Sequence, residues 1–550
     1  MVGPGAAKAC EQARLGAGAG GRRFQRGKET NVAMRVVAYT AILLTGCMCV
    51  LSVGMGPPKK REVKPTGKSV LLTVFLTGNE LGSMKPCGCS GGQLGGLARR
   101  SAILRSAAKD KRLILDTGSL AAGEGEQDLI KFNVIIRAFE LLGYDLVNLT
   151  KNDLRLARNL GLLGNMGPDL KVISADEGAV EANVPARFSK RVALDGKKYA
   201  ATVASFDMRS GGIEQVEEVF GPASSDLQDI RILILRGCEP DRIDSVAKKL
   251  GFVDCVVCAD NADDRPRVIG EPNGKPLIVT AGRLGKYVGR LDVMAVNPVR
   301  NPRPTAGARD EGISNGVKGS LELRFQPVAV TEDLAEDQAL TRLYEEYQLI
   351  VKESGLIERQ GRISLPDGLK YAGSASCKAC HTYAYEKWSE KKHAQLEILP
   401  PQPVPATSPV RNPPPPRATG AHQRISNGAR EFLTGHAGAY ATLEKVGSAY
   451  DPECVVCHSI GMRYESGFVS PEKTPQLKDV GCENCHGPGS EHIETAGERR
   501  TVEPRSECAE CHTPDNSAHY SGNEAEYFEK IIHWREPNAP GNVKIDKKMS

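Results

Sequence analysis

Between residues 68 and about 295, short apolar runs alternate with one long amphipathic run. SVLLTVFLT, RLILDTG, YDLVNLT, KVISAD, IRILILRG and VDCVVCA have the length and apolar content of buried strands. EQDLIKFNVIIRAFELLG repeats its apolar residues at helical spacing, which predicts a helix with one buried face. GKPLIVTAGRLGKYVGRLDVM predicts two further strands around a turn. The alternation predicts an α/β layered domain over 68–330. Thr331 to Glu358 predicts a helix, within a linker over 331–365, that leads out of it.

The pattern fades further on. The segment from about Gln395 to Gly435 has nine prolines between Pro400 and Pro416, which excludes helix and central strand. PVRNP occurs at Pro298–Pro302 and again at Pro409–Pro413, and ISNG follows each, at Ile313–Gly316 and Ile425–Gly428. Neither copy has a hydrophobic period. They read as two copies of a disordered inserted element, at about 297–318 and 395–435.

Composition adds little except in two residue types. The chain of 550 residues is too long for one ordinary domain. Its net charge of +5, from 72 basic and 67 acidic residues, gives no reason to invoke nucleic acid. The 16 cysteines and 10 histidines do change the picture, because every histidine lies between His381 and His533. Residues 1–380 therefore hold no imidazole-ligated metal and no histidine base.

A single motif recurs four times within the histidine-bearing region. It reads CKACH (Cys377, Cys380, His381), CVVCH (Cys454, Cys457, His458), CENCH (Cys482, Cys485, His486) and CAECH (Cys508, Cys511, His512). Two thiols three positions apart can reach both vinyl groups of one haem, and the next residue then turns its imidazole to the iron. Zinc knuckles and redox CxxC pairs do not require that histidine. The motifs predict four covalently bound haem c groups in a mainly helical, loop-rich domain over 366–535, before a tail over 536–550. His393, His436, His492, His519 and His533 are the distal candidates, and His422 reads as a loop residue.

The stretches YAGSASCKACHTYAYEKWSEKKHA, YDPECVVCHSIGM, VGCENCHGPGSEHI and ECAECHTPDNS resemble the tetrahaem cytochrome c-554 family, whose members carry electrons from hydroxylamine oxidation. The resemblance covers about residues 370–535. It implies distal ligation by His393 and His492, with His533 as the third choice, haems in stacked pairs, and scope for one five-coordinate iron. The proline-rich interruption sets His436 in competition with His393.

At the start of the chain, Val36 to Met55 is uncharged and follows Arg22, Arg23, Arg26, Lys28 and Arg35. This predicts an N-terminal extension over 1–67 with a signal sequence or a single anchor. LTGC also resembles a lipoprotein cleavage box, with Cys47 as the lipidated residue. Each version exports the rest of the chain to the periplasmic side, membrane-attached or secreted, where haem c is attached.

The order of the α/β segments resembles the metallophosphatase domain of periplasmic 5'-nucleotidases and UDP-sugar hydrolases, over about 230 residues. LDTG, LGYDLVNLT, VDCVVCADNA and VTAGRLGKYVGRLDV carry the likeness. The metal ligands of that family are missing: the matching positions read Asn79, Leu81, Ser119, Lys151 and Asn152, and the later ones fall near Gly237, Asp260 and Ala262. A two-metal phosphoesterase needs such ligands to activate water, so phosphatase activity is predicted absent. Cys87, Cys89, Cys238, Cys255 and Cys258 are read either as disulfides or inert thiols, or as a new metal or redox site. The fold class is thus a metallophosphatase-like α/β domain followed by a multihaem cytochrome c domain.

Three functions stay open on these grounds. The first is an electron carrier between redox partner proteins, held at the membrane through its N-terminal anchor or lipid, with a catalytically dead scaffold domain. The second is a multihaem oxidoreductase acting on a small nitrogen or sulfur compound at a five-coordinate haem. The third is a phosphoesterase–cytochrome fusion.

Overall fold

The computed structural model describes residues 70–86, 92–194, 197–222, 228–238, 242–260, 263–269, 276–295, 313–318, 321–390, 435–501, 508–517 and 520–533. The predicted anchor with Cys47, the Cys87–Cys89 pair, His393, His422, His519, Ala262, both PVRNP copies, the second ISNG and the tail lie outside them.

The strands are β1 (Val70–Thr77), β2 (Arg112–Asp116), β3 (Leu146–Asn148), β4 (Lys171–Ile173), β5 (Arg187–Leu194), β6 (Lys197–Asp207), β7 (Gln228–Arg236), β8 (Cys255–Cys258), β9 (Leu277–Thr280), β10 (Tyr287–Ala295), β11 (Ile313–Lys318) and β12 (Leu321–Ala329). They form a seven-stranded sheet in the order β11-β12-β10-β1-β2-β3-β4 and a five-stranded sheet in the order β5-β6-β7-β8-β9. The runs β1 to β4 and β6 to β9 are parallel, and β10 to β12 are antiparallel.

Side-chain alternation stacks the sheets. Leu72, Val74 and Leu76 of β1, Leu113 and Leu115 of β2, and Ile232 and Ile234 of β7 share one apolar layer between them. The alternate residues Phe75 and Ile114 face outward into a second cluster under α1 (Leu97–Leu104), α2 (Glu126–Leu142) and α3 (Lys151–Asn159). Leu233 and Leu235 face a third cluster under α4 (Val216–Phe220) and α5 (Ile243–Lys249). The result is helix, sheet, sheet, helix. The central strands are covered on both faces, which is why their runs read as continuously apolar.

Two expectations change. The first ISNG copy, read as disordered, lies in β11, which pairs antiparallel with β12 at the edge of the larger sheet. Backbone pairing needs no apolar period, so the pattern gave no sign of it. The predicted linking helix is α6 (Gln338–Ser354) followed by α7 (Leu356–Arg359). Leu340, Leu343, Tyr347 and Val351 of α6 are buried in the cluster beside α2, so α6 belongs to the domain's outer layer.

The C-terminal region is built from short helices: α8 (Thr382–Ser389), α9 (Ala439–Val446), α10 (Pro452–His458), α11 (Cys482–His486), α12 (Ser490–Glu494) and α13 (Glu524–Lys530). A small apolar cluster, including Tyr440, Val455, Ile460 and Phe468, lies among them.

Candidate haem centres

Each CxxCH motif is wound as about one helical turn. The second and third motifs form α10 and α11, and the first and fourth begin in 3-10 turns at Ser374–Cys377 and Cys508–Glu510. In these last two the His381 amide donates to Cys377 O and the His512 amide to Cys508 O. Positions i, i+3 and i+4 of such a turn share one face, so both thiols and the imidazole are presented together.

The fold then brings distant histidines to these turns. His381 and His492 have ring centres 6.0 Å apart, His486 and His533 are 6.0 Å apart, and His436 and His512 are 6.2 Å apart. A metal–nitrogen bond of about 2 Å on each side, plus about 1.1 Å from nitrogen to ring centre, puts two imidazoles on one iron roughly 6 Å apart. In each pair one ring comes from a motif and the other from outside it.

The second ring nitrogen is occupied in four of these residues. Nδ1 lies 2.7 Å from Ala439 O in His458, 2.7 Å from Arg499 O in His492, 2.8 Å from Ser517 Oγ in His512 and 2.8 Å from Ile531 O in His533. Such a contact fixes ring orientation and leaves Nε2 for a metal. Burial pushes the His436 imidazole down to about 4, with His512 and His458 adding to the effect. Burial likewise lowers His458, His486 and His512. Neutral imidazoles are what iron ligation requires. The residues present therefore fit covalent haem.

The motifs adjoin in a row. Cys377 lies beside Cys482, Cys457 beside Cys511, and Cys485 near Cys508. The order in space is first, third, fourth, second. Glu483, buried inside the third motif, accepts the Ala372 amide at 2.9 Å and the Gly373 and Gly489 amides at 2.7 Å each. It thereby pins the chain entering the first motif and the turn leading to His492.

With this geometry in hand, the chain can be compared with known proteins. Residues 425–487 match the family model of cytochrome c554 and c-prime. Over 128 residues the chain is 27% identical to cytochrome c-554 of Nitrosomonas europaea, a stretch that is 23% of this chain and 42% of that protein. The chain thus spans less than half the length of this curated relative. The family match implies covalently bound haem c. Among solved structures the chain is similar to the calcineurin-like phosphoesterase YfkN from Bacillus subtilis, with 14% identity over 52% of this chain and 98% of that one and a TM-score of 0.37. It is also similar to a 5'-nucleotidase precursor from Thermus thermophilus, with 17% identity over 53% and 60% and a TM-score of 0.36. At these TM-scores the chemistry of the α/β domain is read from its own residues. The C-terminal region resembles cytochrome c-554, and the α/β domain precedes it in the same chain.

In the α/β domain the strand ends hold an arginine–carboxylate network. Arg236, 5% exposed at the end of β7, lies 2.5 Å from Asp260 and donates to Thr117 O, and Arg209 pairs with Asp207 at 2.7 Å. Asn79 donates to Ala259 O and Gly282 O, both at 2.9 Å, and Asn152 donates to Gly123 O at 3.0 Å. The Ser119 amide donates to Asp153 at 2.8 Å, and Lys151 pairs on the surface with Glu177. Asn79, Leu81 and Ser119 all keep left-handed backbone, with φ of 51°, 50° and 60°. Among the described residues no group of three or more His, Cys, Asp or Glu side chains is placed to hold a metal ion. The carboxylates and amides at these strand ends are spent on arginines and backbone.

Of the two readings of the strand cysteines, Cys255 and Cys258 fit buried free thiols. Cys255 faces the layer between the sheets, whereas Cys258 faces the outer helices. Three positions apart on a strand, they point to opposite faces and cannot meet. Cys258 lies near Cys238, and burial pushes both strand thiols up. Sequence reading missed Glu483, Arg236 and Asp451. Asp451 had a signal: an Asp before Pro452 marks a helix N-terminus, and its carboxylate accepts the Glu453 amide at 3.0 Å.

Proposed function

We propose that this chain is an exported tetrahaem c-type cytochrome that relays electrons between redox partner proteins, with an α/β domain that carries no phosphoesterase activity. The observation that carries the reading is the set of three ring pairs at 6.0–6.2 Å, each joining a motif histidine to a distant one. Such ring pairs would hold a haem iron on both sides, leaving no position for a substrate and suiting it to electron exchange. Haem supplies the one-electron couple. The protein's role is to hold the imidazoles neutral and oriented, and to set the four motifs edge to edge in a row.

The α/β domain holds and positions that row. Gln93 donates to Asn516 O at 2.8 Å beside the fourth motif, and Lys286 pairs with Asp515. Gln127 and Tyr347 both bind Asp451 beside the second. Its strand ends fit a silent crevice, because Arg236 offers a fixed cation where a hydrolase would hold metals. Export and membrane attachment follow from the basic and apolar N-terminal pattern and from where haem c is attached.

Haem staining with low-temperature EPR of the oxidised protein tests the reading. Four covalent haems with mainly low-spin signals are expected. A stoichiometric high-spin signal would transfer the assignment to the oxidoreductase acting on a small nitrogen or sulfur compound. Divalent-metal-dependent hydrolysis of a nucleotide would restore the phosphoesterase fusion.

A further inference from the structure

Lys131 is an unusual residue to find inside an outer helix. It lies on α2, its side chain is 5% exposed, and its ammonium meets the Glu453 carboxylate at 2.5 Å. Glu453 immediately precedes Cys454, the first thiol of the second haem motif. The lysine stem runs beneath Gly82, whose φ is +81°, and a Cβ there would stand 2.9 Å from Lys131 Cδ. The backbone loop leaving β1 is thus shaped around this lysine.

The neighbours fix it at the haem motif. Gln127, one turn earlier on α2, donates to Asp451 at 2.8 Å, and the Tyr347 hydroxyl of α6 donates to the other oxygen of Asp451 at 2.9 Å. Residues four apart share a helix face, so Gln127 and Lys131 together seat the first turn of α10. The charges around Cys454 are Asp451, Glu453 and Lys131. Lys131 is the cation of this group.

Burial sets Lys131 and Asp451 apart from Glu453. Glu453 is 64% exposed, so water screens it. Lys131 is almost wholly buried and is screened far less. Reduction of a haem adds one negative charge, which a nearby buried cation favours.

We propose that Lys131 of the α/β domain raises the reduction potential of the second haem through its buried charge. This rests on haem being attached at Cys454 and Cys457. Removing the cation leaves Asp451 and Glu453 unopposed, whereas removing the Glu453 charge leaves Lys131 opposed by Asp451 alone.

The test is a spectroelectrochemical titration of the full haem-loaded chain and of Lys131→Met, Lys131→Arg and Glu453→Gln, each with its covalent haem counted. One of the four waves is expected to move down in Lys131→Met, to move up by less in Glu453→Gln because water screens that carboxylate, to stay in place in Lys131→Arg, and to leave the other three unmoved. Both neutral variants break the same ion pair, so a purely structural role would move that wave in the same direction in both. Such parallel movement, or no movement in a Lys131→Met chain that carries all its haem, overturns the proposal. A wild-type chain that binds no covalent haem at Cys454 and Cys457 overturns the attachment reading first, and the haem count separates the two failures.

Discussion

The layer between the two sheets of the α/β domain buries 25 hydrophobic residues, and two more clusters lie outside the sheets. Among the described residues the C-terminal region buries eight in a small cluster with Ile357 of α7, while its thiols and imidazoles crowd together. The first region has enough apolar area to fold around its own side chains. The described residues of the second bury far less, and their short helices, four of them of seven residues or fewer, are too brief to persist alone. Haem, which the family match implies, would complete its core. The difference teaches that one chain can hold a domain stabilised by aliphatic packing beside one stabilised by its prosthetic group.

The sharpest way to break this contrast is to withhold one haem. Cys454→Ser with Cys457→Ser is expected to lower the covalent haem count by one. It should cost the C-terminal region about 5 kcal/mol or more, comparable with a domain's whole net stability. Far-UV circular dichroism during thermal melting should then show an early transition, with the α/β transition little moved. A single unchanged transition would mean that the two regions fold as one.

The seam between the regions comes next. Asp451 caps α10 and binds Gln127 and Tyr347 at once. Asp451→Ala should cost about 2–4 kcal/mol, the sum of a lost cap and lost charge-assisted bonds. Denaturant titration measures it, and a loss below about 1 kcal/mol would show that the seam contributes little.

A third prediction belongs to the α/β domain alone. Burial raises the Asp116 carboxyl to about 7, with Glu80 adding to the effect. It accepts bonds from Thr77 at 2.6 Å and the Gly118 amide at 2.7 Å, beside the buried Arg100–Glu80 pair. Because the folded state binds this proton more tightly than the unfolded chain, the contribution is complete below about pH 4. It is lost as pH rises through about 7. Asp116→Asn should flatten that fall in stability, by an amount on the order of a few kcal/mol. An identical pH profile in the variant would remove Asp116 from the account. The smallest effect is expected at Lys473→Ala, which breaks the exposed pair with Glu358 and should cost less than about 1 kcal/mol by the same titration.

How far each region could be read from sequence follows the same division. Period-two alternation in Leu72, Val74 and Phe75 or in Ile232, Leu233 and Ile234 is a local property, so the layered α/β class was legible. The β11 pairing was not, because an edge strand held by backbone bonds carries no side-chain signature. The four CxxCH turns were legible because both thiols and the imidazole come from five consecutive residues.

The sequence by itself determined the four CxxCH turns, the helix–sheet alternation and the absence of histidine from the first 380 residues. Only the tertiary structure decided which distant ring faces which motif. Opposite His381, His486 and His512 it set His492, His533 and His436, across gaps along the chain that no local pattern spans. It also placed Arg236 at the strand ends and Lys131 beneath Gly82, against the second motif. The physical reason is range. Propensity and motif spacing act over a few residues, whereas ligand pairing and buried charge depend on contacts made only when remote segments pack.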